Sequence, residues 1–192
     1  MEFNQVISTR RSIRVYQNRP ISDRDLEEII LSGLSAPSAV NLQPWYFVVI
    51  RSKEQMEKLA KIMGEVSKKE EPALRERFQN HPAVAEESLR FIRHMGGAAV
   101  CILAFQYKHE YSNRQSSIIQ SVAAAIENML LAATDKGIGS CWLTAPLEVA
   151  LEHKLQTAFA PDKGDLVAML TLGYAEKVPK TLSRKEGRYI II

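Results

Sequence analysis

Cysteine and histidine are scarce in this chain, with two of the first and four of the second among 192 residues. Cys101 and Cys141 sit in apolar settings, Ala-Val-Cys-Ile-Leu and Gly-Ser-Cys-Trp-Leu, as buried reduced thiols do. Two such thiols make no disulfide framework, and without CxxC or HExxH spacing no zinc site is expected. Charge of one sign is also scarce. A net charge of +3 is too slight to imply a nucleic-acid or membrane partner, and neither is expected. No GxGxxG follows a strand-like run, so no resident dinucleotide site is expected. No apolar run reads as long enough to cross a bilayer. The amino terminus lacks the basic-then-apolar layout of a signal peptide, because Glu2 and Asn4 interrupt it. The expected address is the cytoplasm. Repeats, low-complexity tracts and linkers are missing, so residues 1–192 read as one domain.

What is present is an ordinary globular composition, 46% hydrophobic and 24% charged. Near its start, Arg10-Arg11-Ser12-Ile13-Arg14 sets three guanidiniums and a hydroxyl within five residues. Guanidinium forks match phosphate oxygens two at a time and keep their charge. If the segment is extended, Arg10, Ser12 and Arg14 face the same way. By itself this stretch reads equally well as a solvated basic face.

Ser22 is a good N-cap for a helix from Asp23 to about Ser35, with Leu26, Ile29, Ile30 and Leu34 on one face. Ala36-Pro37 ends it, and a loop to Pro44 leads into a strand over 45–50. Helical spacing returns over 53–63. The charged stretch 64–82, interrupted by Pro72 and Pro82, reads as helical, mobile and a candidate cover over a site. A short helix over 88–94 and a strand over 98–105 follow. The longest helical pattern, 115–136, is apolar over too wide an arc for a surface helix and should be central. Gly137 and Gly139 stop it. Then come a short strand over 140–144, one helix over 146–156 and a strand over 165–173. The chain closes on Tyr189-Ile190-Ile191-Ile192, whose isoleucines should add a strand to a sheet.

Two further stretches can carry chemistry. Pro37-Ser38-Ala39-Val40-Asn41-Leu42-Gln43-Pro44-Trp45 offers amides able to read the edge of a planar heterocycle. Gly137-Ile138-Gly139-Ser140-Cys141-Trp142-Leu143-Thr144-Ala145-Pro146 lets backbone approach a flat ligand closely. In the tail, Lys180, Arg184, Lys185 and Arg188 can return positive charge to a phosphate.

RRSxR, then PSxxNxQPW, a long buried helix, GxGSCW and a basic tail, in that order, resemble the flavin-dependent nitroreductase family over nearly the whole chain. The resemblance implies an α+β fold with a central, mostly antiparallel sheet wrapped by helices. It also implies a homodimer with FMN at the subunit interface and a domain-swapped C-terminal strand on the partner. Arg10, Arg11 and Ser12 then look like ligands of the FMN phosphate and ribityl chain, and Arg14 like a cation beside flavin N1. Pro37, Ser38, Ala39 and Asn41, with Gln43 in support, match the segment that reaches the flavin from the other subunit. Thr144 and Ala145 fall where backbone meets N5. Lys180 and Arg184 are the tail candidates for the phosphate, and Lys185 can replace either.

No acid, base or nucleophile is identified, so the implied chemistry is the flavin's. NAD(P)H would give hydride at N5 and leave, and a nitroaromatic, quinone or similar small-molecule acceptor would take its place. The rival reading is a non-catalytic FMN protein serving storage, sensing or electron carriage. Phe78, Phe91, Tyr107 and Tyr111 are possible pocket linings but are more often plain core residues, and none is assigned to the site.

Overall fold

The computed structural model describes residues 1–107, 115–181 and 183–192. Its centre is a four-stranded, wholly antiparallel sheet in the order β1-β2-β4-β3. These strands are β1 (Trp45–Ile50), β2 (Val100–Gln106), β3 (Gly139–Leu143) and β4 (Leu166–Gly173). Side chains alternate between the two faces of a strand, and both faces are covered here, so the inner strands read as continuous apolar runs. Along β2, Cys101, Leu103 and Phe105 enter one core cluster while Val100, Ile102 and Ala104 enter the other.

The helices sort by face. On one side, α2 (Asp23–Leu34) and α5 (Gln115–Asp135) pack through Leu26, Ile29, Val122, Ile126 and Met129. The short α1 (Phe3–Thr9) leans on α5. On the other side lie α3 (Lys53–Arg77), α4 (Pro82–His94), α6 (Ala145–Glu148) and α7 (Glu152–Phe159). Leu59, Met63, Phe91, Ile92 and Leu155 anchor that layer. The N-terminus of α2 forms as the sequence requires, with Ser22 Oγ accepting from the Asp25 amide at 3.1 Å. Gly33 lets α2 meet α5 closely: a Cβ there would lie 2.3 Å from the Met129 methyl.

Four expectations meet a different outcome within one chain. Pro72 does not interrupt the 64–82 stretch, because α3 runs unbroken through it to Arg77 and α4 begins at Pro82. Pro72 is solvent-exposed, so the carbonyl it leaves unbonded can turn to water. The single helix expected over 146–156 is two, parted at Ala150, whose φ of 52° lies in the left-handed region. At 21 residues α5 is long and apolar enough in composition to cross a membrane, contrary to the sequence reading; in this fold its apolar side chains pack on the sheet. Residues 190–192 add no strand within one chain, where Ile190 is 81% and Ile191 87% exposed.

Candidate active site

The Arg10–Arg14 segment is extended and crosses β3 at its start. Ser12 bridges Ser140, and the Ile13 amide donates to the Ser140 carbonyl at 2.8 Å. Ile13 is the buried residue of the segment, which turns Ser12 and Arg14 the other way into a common cleft. Two contacts hold the backbone in place. The Tyr16 hydroxyl donates to the Ile13 carbonyl at 2.7 Å and lies 2.8 Å from Thr171 Oγ1. Gly96, in the left-handed region at φ 64°, lies against the Arg14 carbonyl; a Cβ there would come within 2.3 Å of that oxygen.

The cleft has a volume of about 770 Å³. Ser12 and Arg14 form one wall, and α4 forms another through Val84, Glu87, Ser88 and Phe91, spaced i, i+3, i+4 and i+7. Phe78 at the end of α3, with Lys177 and Pro179 after β4, completes it. The Arg14 guanidinium stands 5.9 Å from the centroid of Phe91. Cys141 follows Ser140 on β3 and is buried. Burial pushes its thiol pKa up, while the charge of Arg14, a hydrogen bond with Ser12 and the charge of Arg10 pull it down.

Arg10 and Arg11 do not line the cleft. Arg10 reaches toward α5, with Glu127 at 3.7 Å. Arg11 donates to the carbonyls of Ser8 and Arg10 at 2.7 Å each and also to Thr181 Oγ1. That last contact brings the tail back to the segment and sets the backbone of Lys180 beside it; the Lys180 and Arg184 side chains are exposed. Thr144 and Ala145 follow β3 at the end remote from Ser140. Ala145 packs on the core cluster of the cleft's side of the sheet.

The 37–43 loop lies elsewhere. It leads into β1, the outer strand opposite β3, about 14 Å across the sheet at the usual strand spacing. Its anchors are on the opposite face too, since the Ala39 amide donates to Ser121 Oγ of α5 at 3.1 Å. Within it Ser38 Oγ accepts from the Gln43 amide at 3.0 Å, and Gln43 Nε2 donates to Asn41 Oδ1 at 3.1 Å. Val40, Asn41 and Gln43 all take positive φ, at 46°, 56° and 47°. Side chains avoid that region, a β-branched one most of all, so this loop holds backbone strain. Pro37, Asn41 and Gln43 are exposed. Within this chain the sheet stands between this loop and the cleft.

A sequence model of the nitroreductase family matches residues 7–174. The chain belongs to the nitroreductase family. A relative from Archaeoglobus fulgidus, provisionally named an NADH dehydrogenase/NAD(P)H nitroreductase, is 32% identical over 88% of this chain and 83% of its own length. The BluB-like flavoprotein of Clostridium difficile 630 superposes with a TM-score of 0.76 at 31% identity, over 100% of this chain and 99% of that one. A structure from Desulfovibrio desulfuricans, provisionally named a nitroreductase and in complex with FMN, gives 0.75 at 26% identity, over 100% and 96%. Membership of the nitroreductase family supports a general NAD(P)H oxidoreductase.

Sequence reasoning assigned Ser12 and Arg14 to the site, and they share the cleft. It passed over Arg90, His94 and Lys177, which line the same space. The helical spacing through 84–94 was the available signal for the first two; Lys177 had none. Phe78 and Phe91 prove to be linings, whereas Tyr107 lies with Tyr46 and Lys163 at the β1–β2 end. Tyr111 falls outside the described residues.

Proposed function

We propose that this protein is an FMN-dependent NAD(P)H oxidoreductase that works as a homodimer and reduces nitroaromatics, quinones or similar acceptors. The observation carrying this reading is the division of the candidate residues into two groups on opposite faces and opposite edges of one sheet. Two copies of the chain reunite them.

The donor set suits the cofactor. A cleft of about 770 Å³ falls in the usual range of about 300–1,000 Å³ for small-molecule sites. It combines the Arg14 guanidinium and the Ser12 hydroxyl with the rings of Phe78 and Phe91. Ser12, with Arg10, Arg11, Lys180 and Arg184, would serve the phosphate end. Arg14 would serve the flavin edge, where a fixed cation favours the negative charge that reduction leaves. Thr144 and Ala145 would present backbone from their own chain. Pro37, Ser38, Ala39, Asn41 and Gln43 would come from the partner. When bound, FMN supplies the redox chemistry, taking hydride from the reduced nicotinamide and returning two electrons to the acceptor. The protein contributes stacking, orientation and charge.

The dimer reading has its own support. Leu31, Leu34, Val40 and Ile119 are exposed on the outer side of the α2–α5 layer. Tyr189 and Ile190–Ile192 lie in solvent, as a strand donated to a partner would before assembly. The test is an absorption spectrum of the purified protein before and after anaerobic NADH or NADPH. A bound flavin that bleaches supports the reading. Bound flavin that stays oxidised with both would favour a carrier, and a protein that takes up no FMN would overturn it.

A further inference from the structure

The cleft beside Arg14 carries more cations than it needs for a flavin edge. Arg14, Arg90 and Lys177 line it against a single carboxylate, Glu87. Among the described residues, none of these three cations forms an ion pair. One unpaired surface cation means nothing. Here three converge on one concavity from separate elements: the extended segment, α4 and the chain after β4. Between them stand Phe78, Val84, Phe91 and Pro179, with Phe91 buried at the base.

Flat apolar walls with a cationic rim select a flat ligand bearing negative charge. We infer that the electron acceptor taken here is an aromatic compound carrying a carboxylate, with the ring among the apolar side chains and the carboxylate met by Arg90 and Lys177. This rests on the proposed function in one respect, namely that Arg14 is committed to the flavin. Arg90 and Lys177 then outnumber Glu87, and the remaining cleft is cationic. A guanidinium takes a carboxylate by two parallel hydrogen bonds, which adds orientation to affinity.

The experiment is calorimetric titration of the FMN-loaded protein, without donor, by 4-nitrobenzoate and by nitrobenzene. These probes differ in the carboxylate. The expected result is tighter binding of 4-nitrobenzoate by about tenfold, the scale of a charge-assisted hydrogen bond. In Arg90→Gln combined with Lys177→Gln that preference should vanish, and in Arg90→Lys it should survive in part. Equal affinities in the parent protein overturn the inference, as does binding of neither probe. So does a double variant that weakens both probes alike. If the double variant keeps the preference but weakens NADPH relative to NADH, the cations serve the donor's phosphate and the inference fails in that direction. Failure of the flavoprotein reading looks different, because no FMN would be retained at the outset.

Discussion

Val40 has few reasons to adopt its backbone conformation. It is β-branched, 72% exposed and left-handed at φ 46°. Such a residue costs about 1–3 kcal/mol unless its surroundings compel it. Ser38 and Ser121 supply the compulsion by fixing the loop on both sides. Val40→Gly should therefore raise the free energy of unfolding by about 1 kcal/mol net of glycine's extra unfolded-state entropy, as read from urea denaturation. No gain would mean that the side chain repays its strain in some contact. The buried thiols set a pH dependence. Burial pushes Cys101 up to about 12 from an ordinary 9.0, and it raises Cys141 as well. A raised pKa contributes stability that is whole below the unfolded value and drains away as pH climbs to the folded one. Stability should thus decline between about pH 9 and 12 in alkaline denaturation curves, less steeply in Cys101→Ala. A thiol reagent should leave both residues untouched in the native protein at neutral pH.

Elements were legible where sequence signals agreed with one another. Ser22 with two acids in the first turn and an apolar stripe marked α2 to within a residue, and β1 matched its expected range. Pro72 misled because a proline's local penalty was weighed alone. In α3 the buried Val66 and Ser67 lie just before it, and Arg75 just after it ties Glu71 to Glu86 of α4 at 2.7 and 2.8 Å. Packing outweighed propensity there. Pro72→Ala should accordingly stabilise the protein by about 1–2 kcal/mol by restoring a hydrogen bond to α3, measured as a shift in chemical denaturation. The split after α6 was hidden because Ala150 is an unremarkable residue in an uncommon conformation. The cleft was half legible for a similar reason. Ser12 and Arg14 stand in a motif, whereas Arg90 and Lys177 meet them only through tertiary folding.

At the scale of the molecule, composition described one globular chain, while the exposed tail and the two separated groups of candidate residues fit the proposed homodimer. Removing Tyr189–Ile192 should weaken self-association and lower FMN retention together. Sedimentation velocity reads the first and flavin absorbance after gel filtration the second. A truncated protein that stays dimeric and coloured would place the dimer contact on the α2–α5 layer alone.

In the proposed homodimer, the sheet that keeps the cleft of one chain from its own 37–43 loop would give the protein a genetic signature. Arg14→Gln would damage one half of every proposed site, and Asn41→Asp the other half. Each variant alone should lose most of its flavin. Mixed and allowed to exchange subunits, the two should complement, because every hybrid dimer gathers both lesions into one site and leaves the other whole. With equal amounts and free exchange, about a quarter of all sites should return. Two defective alleles in one cell would then pass as a partly working one.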